Sequence, residues 1–234
     1  MPSPPRAALA VPAAGRAPER HRSRDSERSR GVGLAAIEQL LRGGFPRGRV
    51  SEIAGPASCG RTSLAHALLA RTTSAGELAC VIDLAGGFDP PSAAEAGVAL
   101  SRVLWVRPPG LREALRCAEH VLRTEGFALV LLDLAGLGAP LRIASSVWPR
   151  LRKRVASTCA VFLVLGHQRV AGSFADLALE LGSASARFET GPAWLCGLGG
   201  SVRIARNRLG PDGRQAEVRW GVEPWSPPPE SPAC

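Results

Sequence analysis

Tyrosine is absent from this chain, methionine occurs once, and Lys153 is the only lysine among 29 basic side chains. Recognition by positive charge therefore falls to arginine, which meets carboxylates and phosphates as a planar fork rather than a point charge. The same skew, with abundant Ala, Gly and Pro, is what a GC-rich genome produces. The formal net charge of +9 thus permits contact with nucleic acid or an acidic partner without specifying either. No apolar run approaches the ~18 residues a membrane span needs. The basic, proline-rich start lacks the apolar stretch of a secretory signal, so a cytoplasmic protein is expected. The six cysteines include no C-x-x-C pair and several lie inside apolar runs, which indicates neither a disulfide framework nor a zinc site. What remains, 234 residues at 45% hydrophobic, is enough for one packed domain.

Three regions are expected. Residues 1–30 carry Pro2, Pro4, Pro5, Pro12 and Pro18 and then arginine clusters at 20–24 and 28–30, the composition of a disordered basic arm. Such an arm is either a solvated tail or a contact for nucleic acid or a partner. Residues 31–222 read as the core, and residues 223–234 as a proline-rich tail around Trp225. In the core, Leu34, Ile37, Leu40 and Leu41 repeat at helical spacing. Five near-continuous apolar runs, 49–54, 78–83, 103–106, 128–133 and 159–165, alternate mostly with helical stretches. That rhythm predicts an α/β fold with a mostly parallel sheet flanked by helices. Past Gly182 shorter strands are expected at 185–189, 201–206 and 215–220, the last two joined as a C-terminal antiparallel hairpin through Leu209-Gly210-Pro211-Asp212-Gly213.

Between the first run and an apolar-periodic segment stands Gly55-Pro56-Ala57-Ser58-Cys59-Gly60-Arg61-Thr62-Ser63. The spacing is that of a phosphate-binding loop, G-x-x-x-x-G-K-[ST], with strand before and helix after, but arginine stands in the lysine position. In such a loop backbone N–H groups and the helix N-terminus hold phosphates, a hydroxyl holds Mg²⁺, and lysine reaches the outer phosphates. Gly55, Ser58, Gly60, Arg61, Thr62 and Ser63 are the candidate nucleotide-binding residues. Thr62 and Asp133, the aspartate ending a later apolar run, are the candidate Mg²⁺ side. At a strand end Asp133 also suits a plain turn former or cap.

The segment from Gly43 to Pro56 resembles the approach to the phosphate loop in bacterial RecA recombinases. Val81-Ile82-Asp83 through Phe88-Asp89-Pro90 is similar to the next RecA strand and loop, Leu129 to Asp133 to its magnesium-side strand, and Val202 to Arg208 to its closing strands. The resemblance runs collinearly from about Gly33 to Val222. It implies ATP and Mg²⁺ as ligands, Asp89 beside the adenine, Gln168 as a γ-phosphate sensor, and Arg206 and Arg208 reaching a neighbouring protomer's nucleotide. On the residues alone, Gln168 is equally a strand cap and the two arginines solvated hairpin charges.

Two departures bear on activity. The resemblance places a water-orienting glutamate where this chain has Ala85, followed by Gly86 and Gly87, and the loop lysine is Arg61. Together they predict ATP hydrolysis that is very slow or absent. The regions of the two RecA DNA-binding loops, after Asp133 and after Gln168, are short. Arg150, Arg152, Lys153 and Arg154 offer a basic cluster that either contacts phosphates non-specifically or forms a solvated helix face. A short, degenerate core of this kind resembles the ImuA family of RecA-related accessory proteins. That resemblance implies a non-catalytic scaffold in SOS mutagenesis and translesion synthesis, with an ImuB-like Y-family polymerase homologue, an error-prone DnaE-type polymerase and RecA itself as partners. The rival expectation is an active or nucleotide-gated RecA-fold ATPase in recombination and DNA repair.

Overall fold

A computed structural model describes residues 29–137, 141–188 and 195–221. Nine strands form one sheet, in the order β11-β10-β8-β3-β7-β6-β4-β5, with β9 also pairing β10. These are β3 (Arg49–Ala54), β4 (Leu78–Asp83), β5 (Val103–Val106), β6 (Phe127–Asp133), β7 (Val161–Gly166), β8 (Leu177–Leu181), β9 (Ser185–Phe188), β10 (Leu195–Asn207) and β11 (Gln215–Gly221). From β8 to β5 every ladder is parallel, while β10 and β11 add antiparallel strands at the other edge. The expected architecture is therefore the observed one. A separate two-residue ladder joins β1 (Ser29–Arg30) to β2 (Phe45–Pro46), so the first described strand falls within the stretch expected as an arm over 1–30. Residues 1–28 and 222–234, with Trp225, lie outside the described residues.

Parallel strands with helices on both sides must be apolar on both faces, and the alternation along each strand sorts side chains into two cores. One core packs Val81, Leu129, Leu131, Leu163 and Ile53 against α1 (Ala35–Leu41), α2 (Arg61–Ser74) and α3 (Pro90–Glu95). The other packs Cys80, Ile82, Val130, Leu132, Phe162 and Val164 against α4 (Leu111–Val121) and α5 (Val147–Ala156). Burial leaves the Cys80 thiol pushed up to about 12, the behaviour of an inert small hydrophobe. Among the described residues no helix is long and apolar enough to cross a membrane.

Two features were not visible as strands. The run Leu177–Leu181 follows a turn-rich stretch, yet β8 lies beside β3 in the middle of the sheet. The strand expected over 201–206 extends back to Leu195, through Gly197, Gly199 and Gly200. Glycine is a poor strand former in isolation, but here neighbours supply the missing surface. A Cβ on Gly200 would lie 3.3 Å from the Trp220 ring, and one on Gly199 would lie 3.8 Å from Arg187. At the opposite end of the sheet, Arg30 and Arg47 both pair with Glu77 and tie the β1–β2 ladder to the start of β4. Burial, with Arg47 and Arg71 close by, lowers Arg30 to about 10.

Trp148 is 2% exposed and fills the space between α5 and the sheet. Trp148→Ala should cost about 3–5 kcal/mol of stability, read as a lower urea midpoint with an unchanged slope.

Candidate functional site

The loop between β3 and α2 leaves the sheet where β3 runs between β7 and β8, so its walls come from three parallel strand ends. Gly60 caps α2 in the left-handed region at φ 91°, and Ser58 is left-handed as well at φ 58°. No side chain caps α2, so the N–H groups of its first turn face outward with no intrahelical acceptor. Cβ atoms are excluded at both glycines. One on Gly55 would stand 2.7 Å from both Cys59 Sγ and the Leu181 carbonyl, and one on Gly60 would stand 2.6 Å from the Trp220 ring. Trp220, at the end of the hairpin, thus packs on the loop itself. Sequence analysis missed it, although the alternation Ala216, Val218, Trp220 marks the inward face of that strand.

Arg61 does not extend along the loop. It is 8% exposed, and its Nη1 donates to the Gly55 carbonyl and, at 2.7 Å, to the Gly166 carbonyl; His167 Nδ1 lies 3.3 Å away. Gly166 O also accepts Gly55 N–H at 3.3 Å. The guanidinium is therefore fastened to the seam where β3 and β7 end. Thr62 is exposed and Ser63 half-buried on the first turn of α2.

Asp83 and Asp133 face each other in register at the ends of β4 and β6. Asp83 is committed to structure. Its Oδ1 accepts Gly87 N–H at 2.9 Å, and its Oδ2 accepts Phe88 N–H and Trp105 Nε1–H, each at 3.2 Å. Asp133 is 7% exposed and accepts Ala135 N–H at 2.8 Å. Burial raises its carboxyl above the usual range and the Asp83 charge adds to that, while Ala135 N–H, Arg61 and His167 pull the other way. Ala85 touches Gly136 so closely that a Cβ there would collide with it, and Gly86 and Gly87 complete that wall without a carboxylate. Asp89 caps α3 by accepting Ser92 N–H at 3.1 Å. Its charge also opposes the burial that lowers neighbouring His66.

The other predicted residues are dispersed. Gln168 is exposed just beyond β7. Arg206 Nε donates to the Ala175 carbonyl at 2.9 Å and Arg208 to the Ser173 carbonyl at 2.8 Å, near the start of β8 and away from the loop. On α5, Arg152 pairs with buried Asp176 at 2.8 Å and exposed Arg150 with Glu119 at 3.7 Å. Lys153 is exposed and Arg154 half-buried.

The backbone cradle fits a phosphate group: two close-approach glycines, left-handed residues and a helix N-terminus. The outer-phosphate side is different. The arginine is turned inward and the Ala85 wall has no base. Among the described residues no cluster of three or more His, Cys, Asp or Glu is placed to hold a metal.

Glu52, on β3 before the loop, is a further buried charge that sequence analysis did not single out. It accepts the N–H groups of Val170 and, at 3.0 Å, Ala171, tying the β7–β8 connection to β3. Burial is the largest influence and raises its carboxyl above 4.5, outweighing those N–H groups and Arg169 at 3.8 Å.

The chain was compared with known proteins. Residues 23–143 match the family model of the RecA N-terminal domain. The chain is similar to Protein RecA of Picosynechococcus sp., 26% identical over 217 residues, covering 79% of this chain and 62% of that protein. It is similar to Protein RecA of Chlorobaculum parvum, 38% identical over 103 residues, covering 44% of this chain and 30% of that one. In structure it resembles the RadB recombinase, with a TM-score of 0.60 at 20% identity, covering 80% of this chain and 94% of that chain. That likeness shows the fold. The chain spans less than two thirds of the length of the RecA proteins it matches.

Two outcomes follow from the geometry. Gly60→Ala should lose about 2 kcal/mol or more, from left-handed strain and collision with Trp220, measured by urea unfolding, and a Trp220→Ala background should recover part of the loss. For Glu52, whose folded value is raised, the stabilising contribution is full below its ordinary 4.5 and is lost as pH rises through the folded value. Glu52→Gln should therefore lose less stability than the parent protein as pH rises above 4.5; parallel losses would refute the burial argument.

Proposed function

The chain belongs to the RecA N-terminal domain family, and from that premise we propose that it is a non-catalytic, ImuA-like scaffold of DNA damage tolerance. In that role it links an ImuB-like Y-family polymerase homologue and an error-prone DnaE-type polymerase during SOS mutagenesis, with RecA as a further partner. The observation that carries the reading is the inward-turned Arg61, fastened to Gly55 and Gly166. Phosphoryl transfer depends on positive charge at the outer phosphate and a group that orients the attacking water. Arg61 is engaged elsewhere, and Ala85-Gly86-Gly87 supplies no such group. A rigid α/β platform with two terminal segments is what a family core offers once turnover is removed. Non-specific contact with DNA phosphates belongs to the same reading, through Arg150, Lys153 and Arg154 on α5; Arg152 is committed to Asp176.

ATP and Mg²⁺ remain candidate ligands of the cradle, through Gly55, Ser58, Gly60, Thr62 and Ser63. The rival, a nucleotide-gated or active ATPase, is favoured by the preserved backbone geometry of that cradle. Two measurements separate the readings. Multiple-turnover phosphate release should be no faster for the purified protein than for Thr62→Ala; turnover that disappears in that variant would establish an ATPase. The full chain should also co-purify with an ImuB-like partner from DNA-damaged cells without added nucleotide, and failure to retain any polymerase-family protein would remove the scaffold role.

A further inference from the structure

We infer that Arg61 is an internal strut that takes over the holding role of a bound nucleotide, so that the phosphate loop and the β7–β8 connection keep one arrangement whether or not nucleotide is present. This goes beyond the partner-linking role, because it concerns the loop whatever the platform binds.

Guanidinium stays charged at any physiological pH, carries five N–H donors and has no acceptor, so burial is tolerable only where carbonyls surround it. Arg61 is 8% exposed, and one nitrogen reaches both Gly55 O, at the mouth of the loop, and Gly166 O, at the end of β7. The same Gly166 carbonyl takes the Gly55 N–H at 3.3 Å, so strand pairing and strut share one acceptor. Swinging the guanidinium outward toward a phosphate would strip it of these carbonyls and of the His167 contact at 3.3 Å.

Other groups immobilise the rest of the site. Trp220 lies where a Gly60 Cβ would be, pressing on the helix end of the loop. Glu52 holds the N–H groups of Val170 and Ala171, three and four residues beyond His167. Asp83 holds Gly87 and Phe88 on the facing wall. The helix end of the loop, the β7–β8 connection and the wall after β4 are thus each tied by the chain's own side chains. A ligand shifts an equilibrium only through its differential affinity for two states, and here the second state is suppressed. All three contacts are made by Nη1, so a side chain that keeps the length of the stem but has no donor removes the strut.

Amide hydrogen exchange on the full-length protein, with and without millimolar ATP–Mg²⁺, tests this directly. In the parent protein, exchange at residues 166–171, outside the cradle, should be unchanged by nucleotide. In Arg61→Met the same amides should exchange about tenfold faster without nucleotide, the equivalent of one hydrogen bond of about 1.4 kcal/mol. Added ATP–Mg²⁺ should slow them again. Nucleotide-induced protection of residues 166–171 in the parent protein overturns the inference without recourse to any variant. Equal exchange in the two proteins without nucleotide overturns it as well. Neither result bears on partner binding, which the co-purification measures separately.

Discussion

The parallel ladders that hold β3 between β7 and β8 are the constraint on which the rest of the molecule depends. A strand buried on both faces and paired on both edges cannot slip, because a one-residue shift would turn each inward side chain to the wrong core. Its carboxyl end is therefore a fixed point, and the loop leaves from it. Three strand ends form the walls of that loop, and α2 begins at a set distance beyond Gly60. Helices on both faces seal the ladders from water, and the hairpin of β10 and β11 carries the sheet far enough to bring Trp220 over the loop.

Around that fixed point the protein buries more charge than packing alone would favour. Arg61, Glu52, Asp83, Asp133 and Asp176 are all nearly inaccessible to solvent. Each has specific partners, as the cost of desolvation demands. Glu52 has two main-chain N–H groups, Asp83 two main-chain N–H groups and an indole, Asp176 the Arg152 guanidinium, and Arg61 two carbonyls. Most of these contacts join segments distant in sequence, so the polar interior cross-links the loop, the β7–β8 connection and the wall after β4.

Membership in the RecA family accounts for the frame, and the substitutions inside it account for the proposed role. The backbone of the phosphate cradle is intact, with glycines where only glycine fits. Arginine in the lysine position keeps the charge but directs it inward, onto the Gly55 and Gly166 carbonyls. Ala85, touching Gly136, leaves a smooth wall in place of a base. In the proposed role the same scaffold serves as a platform rather than a switch, and phosphate binding in the cradle is compatible with either use of the surface.

Much of this was legible in the chain. The β-rich runs at 49–54 and 78–83 matched their strands because two-faced burial writes a continuous apolar signal, and 103–106 matched as an apolar edge strand whose Leu104 and Trp105 stay exposed. The loop, its helix, the hairpin and the arginine in the lysine position could be read residue by residue, since each depends on local spacing; the glutamate missing at Ala85 followed only from the RecA resemblance. Leu177–Leu181 escaped notice because a short apolar run after a turn has no local mark of its position beside β3. Sequence could not say where the Arg61 fork would point, as its second carbonyl lies 105 positions away at Gly166. Nor could it foretell that Trp220 would rest on Gly60, that Glu52 would be a buried brace, or that Arg152 would be spent on Asp176. Local chemistry is carried by neighbours in the chain; the destination of a long side chain is decided only when the sheet has brought distant strand ends together.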